Sequence, residues 1–486
     1  MISEPPKYHP PSAVTWIKLR SVLACYLLLL SGVGSLAADS KPSPAYVWNE
    51  TEPQREARLQ WWTDARFGMF IHWGLYAIPA NGGKDKNSEW VKLFGQIPEE
   101  QYQKYFATFN PDLYRPEDWA RVAKQAGMKY VVIVAKHHDG FCLWDSQFTD
   151  YKAPNTPHGK DLLRPMVDAF RAAGIRVGLY YSLMDWHHPD YPIDRNHPQG
   201  YYPFREQNPE KKRTQLAEIN ELNKGRDMRR YASYMRDQVR ELLTLFGRID
   251  LMFLDFSFLG KEGGKGRDEW ESEKLLALVR QLQPHIIVND RLDLMDVRGG
   301  WDFKTPEHRV PEEWVTHDGK RVPWETCHTF GHSWGYYRDE PNWKSSRNVL
   351  EILINCVSRG GNLLFNVGPT ARGTLDTRTV ERLGDIAEWM KLHQQSIYGC
   401  TEAPKQFKAP DGCKLTYDPQ SRRVYVHVFN WPKENKIQLD GFERSVHFAR
   451  LLNDGSEITY GGEPVVLTLP VPPPPVAVPV IEIFLR

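Results

Sequence analysis

Gly127-Met128-Lys129-Tyr130-Val131-Val132-Ile133-Val134-Ala135-Lys136-His137-His138-Asp139-Gly140 holds a complete structural unit. A glycine ends whatever precedes it, a short apolar run follows, and the run gives way to a burst of ionisable side chains. The pattern recurs three times. Gly174 leads into Val177-Gly178-Leu179-Tyr180 and then Tyr181-Ser182-Leu183-Met184-Asp185-Trp186-His187. Gly247 leads into residues 249–254 and then Asp255, and Pro284 into Ile286-Ile287-Val288 and then Asn289-Asp290-Arg291. Apolar runs this short read as strands buried on both faces, as in parallel sheets covered by helices. Polar clusters at the C-terminal ends of such strands are where a (β/α) barrel carries its active site. The fold class is therefore read as α/β, a TIM-type (β/α)8-like barrel.

Outward from these runs the alternation continues. Residues 67–71 form a first strand ending in His72-Trp73-Gly74, and residues 362–365 a late one ending in Asn366-Val367-Gly368-Pro369. Helices are expected at 116–126, 162–173, 229–246, 272–282, 348–358 and 380–393. Pro116 opens the first, and Gly127, Gly174 and Gly247 stand just past helix ends, where a left-handed turn is common. Residues 187–226 are polar and Pro-rich and read as one long loop, the kind of segment in which barrels vary specificity. After Tyr398 the periodicity becomes two, at 423–429 and 481–485, which predicts a C-terminal antiparallel β-sandwich. The expected organisation is a signal peptide at 1–38, a lead at 39–55, a catalytic barrel at 56–398 and the sandwich at 399–486.

The chain has 486 residues, with 62 Lys and Arg against 61 Asp and Glu, so no basic face for nucleic acid is evident. Lys18 and Arg20 precede an apolar run and the small residues Ser35-Leu36-Ala37-Ala38, an export signal too short for a membrane span. The address implied is secreted or periplasmic, or lysosomal in a eukaryote. Five cysteines would remain after cleavage, an odd number without a CxxC pair, which excludes a disulfide scaffold or zinc ribbon and leaves room for one bridge. No cofactor is implied. Seventeen Trp and twenty-two Tyr are a heavy aromatic load, of the kind that suits sugar surfaces when rimmed by polar groups.

Asp255 leads the candidates for chemistry. It follows Leu251-Met252-Phe253-Leu254, so its carboxylate emerges from an apolar wall and needs a partner. Arg291, at the end of the next strand, is a ready donor. Glycoside hydrolysis would need a second carboxylate; Glu307 in Asp302-Phe303-Lys304-Thr305-Pro306-Glu307 and Glu325 in Pro323-Trp324-Glu325 both remain open. His72, His137 and His138 match no zinc spacing, and adjacent histidines point apart on an extended chain. Neutral imidazoles donating to sugar hydroxyls fit better than a metal site. Trp73, Trp90, Trp144 and Trp186 stand beside polar strand ends, where some could stack on sugar rings. Ser182 lacks a G-x-S-x-G elbow, and Gly360-Gly361 lacks the Lys of a phosphate loop.

Together these residues resemble glycoside hydrolase family twenty-nine, the retaining α-L-fucosidases. The resemblance is carried by Arg66-Phe67-Gly68-Met69-Phe70-Ile71-His72-Trp73-Gly74, Ser88-Glu89-Trp90, Ala135-Lys136-His137-His138-Asp139-Gly140-Phe141, Gly178-Leu179-Tyr180-Tyr181-Ser182, Asn289-Asp290-Arg291, and residues 360–369. It implies an irregular barrel followed by a β-sandwich, and a fucosylated oligosaccharide or polysaccharide as substrate. It also implies Asp255 as nucleophile, Glu307 rather than Glu325 as acid/base in a less polar setting, and His72, Glu89, Trp90, His137, His138, Tyr181 and Arg291 as sugar-binding residues. Two departures stand out. Phe253 replaces a Trp two residues before the nucleophile, and Phe256-Ser257-Phe258 replaces the common Gly after it. The rival readings are an endo-acting fucan hydrolase, an exo-enzyme for L-galactose, and a carbohydrate-binding protein on a retired hydrolase scaffold.

Overall fold

A computed structural model describes residues 49–82, 87–257 and 261–486. The expected signal peptide, the first part of the lead and Phe258 lie outside the described residues. Seven parallel strands carry the first part of the fold: β1 (Phe67–Ile71), β2 (Tyr130–Lys136), β3 (Arg176–Ser182), β4 (Leu251–Asp255), β5 (Ile287–Val288), β6 (Glu325–Thr329) and β7 (Asn362–Val367). They are hydrogen-bonded in the order β5-β4-β3-β2-β1-β7-β6. Between β5 and β6 the ring is closed by residues 303–307. Phe303 bridges Asn289 on one side, while Lys304 and Glu307 bridge Trp324 and Cys327 on the other, all parallel. This irregular eighth stave is why the barrel is not a regular one.

Each strand buries both faces, and the two faces go to different cores. Phe70, Val132, Tyr180 and Phe253 share an apolar cluster inside the barrel. Met69, Val131, Tyr181 and Leu254, their sequence neighbours, belong to the cluster between barrel and helices. The covering helices Pro116–Gln125, Leu163–Ala172, Met228–Leu245, Ser272–Leu282, Ser346–Val357 and Thr377–His393 lie within two or three residues of the expected bounds. Residues 187–226 differ from the expected loop: they contain the short helix Tyr201–Arg205 and the helix Pro209–Leu222. The second is started by the Asn208 side chain, which accepts from the Lys211 N–H, with Pro209 at the first helical position.

Beyond Thr401 the chain forms a five-stranded and a three-stranded antiparallel sheet. Val426, Leu439, Leu467 and Ile483, drawn from both sheets, meet in one apolar core, so the two sheets pack as a small sandwich. All five described cysteines are buried free thiols, and the bridge left open by the sequence is absent among the described residues. No described helix is long and apolar enough to cross a membrane.

The helix Glu52–Ala65 begins inside the expected lead, with Thr51 forming a capping box with Gln54. Its Arg58 reaches the eighth stave, donating to Asp302 Oδ1 at 2.7 Å. Arg280 donates to Asp302 Oδ2 at 2.6 Å, and the Val288 N–H to the same oxygen at 2.8 Å. Asp302 is 1% exposed. Burial opposes its charge, but Arg280 and Arg58 outweigh burial and bring its carboxyl down to about 2. The folded pKa lies below the ordinary 3.8, so the stabilisation is full above that pH and fades as pH falls toward 2. Removing one partner of a buried ion cluster strands the others. Asp302→Asn is therefore expected to cost about 3 kcal/mol in chemical denaturation at neutral pH, with a smaller difference from wild type at pH 2 than at pH 7. A loss under about 1 kcal/mol would mean that this anchor does not hold the stave.

Candidate active site

Asp255 is the last residue of β4, and its carboxylate stands at the C-terminal mouth of the barrel with 15% side-chain exposure. Three donors fix it. Arg291 Nη1 donates to Oδ1 at 2.8 Å, the Phe256 N–H to the same oxygen at 2.9 Å, and the Tyr180 hydroxyl to Oδ2 at 3.0 Å. Glu307, at the end of the eighth stave, accepts from Arg291 Nη2 at 3.0 Å. One guanidinium thus holds both carboxylates, each with its own nitrogen. Burial works against the charge on Arg291, but Asp255 and Glu307 outweigh it and lift its pKa well above the ordinary value. Thr305 completes the arrangement: its Oγ1 and its carbonyl both accept from Arg291.

Glu325 sits at the other end. It opens β6, is 1% exposed, accepts a hydrogen bond from the Tyr130 hydroxyl at the start of β2, and is pushed up to about 8 by burial. Glu307, by contrast, has 40% side-chain exposure and an arginine partner. The less polar setting expected of it is not present in the free protein.

A cavity of about 560 Å³ surrounds Asp255. His72, Trp90, His137, Arg291 and Glu307 line it, along with Phe70, Tyr180, Phe253, Phe256 and Trp334. Glu89, His138 and Tyr181 are not among its lining residues. Tyr181 is fully buried on the outer face of β3, where its hydroxyl donates to Gln238 Oε1 at 2.7 Å and its ring packs near Lys136. The side-chain period of two sends Tyr180 to the cavity instead. Lys136 and Asp185, other polar groups at strand ends, form a buried ion pair at 2.8 Å on that same outer side.

The histidines are neutral. Burial lowers His72 to about 3, and His137 and His138 well below the ordinary value. Asn366 Nδ2 donates to the Trp334 carbonyl, which leaves its Oδ1 facing His72 Nδ1 at 2.7 Å. Nδ1 therefore carries the proton, and Nε2 is left as an acceptor rather than the expected donor. His137 and His138 do not point apart: the chain turns after β2, and their ring centroids are 4.0 Å apart. His137 also stacks on Tyr180. Glu89 accepts from Ser333 and from the Gly335 N–H, and burial raises it to about 7. Glu89 Oε1, His137 Nδ1 and both nitrogens of His138 are buried without a partner among the described residues. Each orphan costs about 1–3 kcal/mol unless a ligand or water satisfies it.

Of the four tryptophans singled out, only Trp90 lines the cavity. Trp73 packs on Phe109, Tyr114 and Trp119, Trp144 donates to Glu241, and Trp186 packs at a tilt on His138. Sequence reasoning missed Trp334, whose ring lies tilted at 5.1 Å from that of His72, and Tyr180. Phe253 occupies the cavity wall in place of an indole. Phe256 has φ +85, a backbone state natural to glycine, held at a cost of order 1–3 kcal/mol. Its N–H is aimed at Asp255, so the strain sits where it orients the carboxylate.

A profile of the family described as Alpha-L-fucosidase matches residues 35–395. The tissue alpha-L-fucosidase of Rattus norvegicus is 27% identical over 477 residues, covering 92% of this chain and 93% of its own length. Alpha-L-fucosidase isoenzyme 1 from Paenibacillus thiaminolyticus superposes with a TM-score of 0.79 at 41% identity, over 89% of this chain and 99% of that one. A family twenty-nine alpha-L-fucosidase from Bacteroides thetaiotaomicron, trapped as a covalent intermediate with 2-fluoro-fucosyl fluoride, superposes with a TM-score of 0.74 at 27% identity, over 92% and 100%.

Tyr180→Phe removes the donor to Asp255 Oδ2 and should lower turnover on the order of tenfold. Tyr181→Phe should leave turnover within about twofold while costing about 1 kcal/mol of stability, because Gln238 loses its partner. Steady-state kinetics beside denaturant melts separate the two; the reverse ranking would put the wrong tyrosine in the site.

Proposed function

The chain belongs to the alpha-L-fucosidase family of glycoside hydrolases, and on that premise we propose that it is an exo-acting α-L-fucosidase. It removes terminal α-L-fucosyl residues from oligosaccharides or glycoconjugates with retention at the anomeric carbon. The observation that carries this reading is the pair of carboxylates, Asp255 and Glu307, held by one arginine beside a cavity with orphaned polar atoms. The apolar wall of Phe70, Phe253 and Phe256 suits the methyl group of a 6-deoxy sugar. It would disfavour L-galactose, whose extra hydroxyl a hydrophobic pocket rejects by about a hundredfold.

In the first step an Asp255 oxygen forms a bond to the anomeric carbon while the glycosidic C–O bond breaks. Glu307 gives its proton to the departing oxygen, which leaves as an alcohol. The fucosyl ester on Asp255 is then attacked by water. Glu307 takes a proton from that water, and Asp255 leaves as a carboxylate. Two inversions give retention. Arg291 and Tyr180 orient Asp255 throughout and stabilise the carboxylate that is regenerated. His72, Glu89, Trp90, His137 and His138 hold the sugar, His138 and Glu89 from just behind the cavity lining. The secreted or periplasmic address rests on the reading of residues 18–38.

Asp255→Gly is expected to cut turnover by several orders of magnitude, far more than the loss of its contacts with Arg291 and Tyr180 lowers the folded fraction at assay temperature, which a melting curve checks. Glu307→Ala should spare aryl fucosides with activated leaving groups far more than natural fucosides, because the former need little protonation. Near-normal turnover by the first variant, or equal losses on both substrates by the second, would refute the assignment.

A further inference from the structure

An exo-acting hydrolase buries the terminal sugar, so everything attached to it must leave through the open mouth of the cavity. The deep part of this cavity is closed by His72 and His137, 4% and 5% exposed. Its half-buried rim is supplied by the insertion at 187–226, which brings Asn196, Tyr201 and Arg205 to the same cavity, together with Phe94. Two features of this rim have no use in the reaction already described.

The first is Asn196. It is 6% exposed and lines the cavity, and its Nδ2 has no partner among the described residues. Its amide orientation is fixed, because Oδ1 accepts from Arg205 Nη2 at 3.2 Å; a flip would set donor against donor. A buried N–H donor with no partner among the described residues therefore sits in a side chain that lines the cavity. The second is Arg205. Its guanidinium lies 3.7 Å from the centre of the Tyr201 ring and donates to the carbonyls of Arg195 and Tyr201. Among the described residues no carboxylate forms an ion pair with it, and Asp194, whose charge it feels, is taken by Lys265 and by Tyr191. A cation outside any direct ion pair at the mouth of a cavity draws anions there. The Tyr201 ring, perpendicular to Phe94 at 5.4 Å, adds aromatic surface to the cavity lining of the kind that packs against a sugar.

Resting on the proposed fucosidase reading, we propose that Asn196, Tyr201 and Arg205 form a leaving-group subsite for an acidic sugar, one that carries a carboxylate or a sulfate ester. Arg205 pairs with the anionic substituent, Asn196 Nδ2 donates to a neighbouring oxygen of that sugar, and Tyr201 supports its face. The insertion thereby sets which fucosylated glycans are good substrates, without touching the fucosyl group or the reacting bond.

Three fucosyl disaccharides test this, alike except that the leaving sugar is neutral, sulfated or carboxylated. The wild-type protein should show kcat/KM about tenfold higher on one or both anionic substrates than on the neutral one, as for a single charge-assisted contact. Which anionic arm responds names the group. Added salt should shrink the preference. Arg205→Gln should bring the ratio toward one. Asn196→Asp provides a second route that keeps the acceptor for Arg205 while neutralising its charge, and it should do the same. Equal kcat/KM on all three substrates, or an undiminished preference in either folded variant, overturns the subsite while turnover of the neutral disaccharide keeps the fucosidase reading intact. No release of fucose from any of the three overturns both.

Discussion

Two carboxylates facing one sugar repel each other across a space from which water is partly excluded, and a cation between them is the simplest remedy. Arg291 is that cation. One of its terminal nitrogens holds Asp255 at 2.8 Å and the other holds Glu307 at 3.0 Å. The three residues come from three different staves: the end of β4, the turn after β5, and the irregular stave at 303–307. Everything else in the barrel serves to bring those three ends together. The stave is the weakest of them, since only isolated bridges tie it to its neighbours. Asp302, clamped by Arg58 and Arg280 just upstream, compensates for that weakness with a buried ion cluster. That cluster ties the start of the stave to β5 through the Val288 N–H.

The same constraint explains the site's mixture of rigidity and unmet need. Asp255 has a donor on each oxygen and a strained backbone N–H behind it. That residue is committed to one orientation before any ligand arrives, which is what preorganisation requires. Around it the histidines are kept neutral by burial, and Asn366 fixes the tautomer of His72. Glu89, His137 and His138 keep buried polar atoms without partners. The geometry around Asp255, the proposed nucleophile, is satisfied in advance, whereas the groups proposed to hold the sugar keep unmet hydrogen bonds among the described residues. Glu307 lies between these extremes, half-exposed.

Much of this was legible in the residues. Four apolar runs ending in polar bursts predicted a parallel barrel, and Asp255 with Arg291 followed from strand ends alone. Helix bounds came out within a few residues because Gly and Pro mark them. The failures share a physical origin. On a strand buried on both faces, Tyr180 and Tyr181 look equally apolar in sequence, and only the register decides which of them meets Asp255. The eighth stave has no alternation to read, so Glu307 rested on the resemblance, and Glu325 could be set aside only when it was seen at the opposite end of the barrel. The helix Pro209–Leu222 was hidden by its polar composition, although Asn208-Pro209-Glu210 is a legible start signal. Trp334 carries no signal at all in sequence; it reaches the cavity through a loop after β6.

The central claim is that Asp255 becomes covalently bonded to the sugar while Arg291 and Tyr180 hold it. A 2-fluoro-fucosyl fluoride tests it most directly, because the fluorine at C2 slows both steps while the fluoride at C1 needs no acid to leave. The ester then accumulates and can be located by peptide mass spectrometry. The account predicts one fucosyl adduct, on the peptide carrying Asp255. An adduct on Glu307, Glu325 or any other carboxylate would contradict it, as would release of the inverted anomer with no adduct.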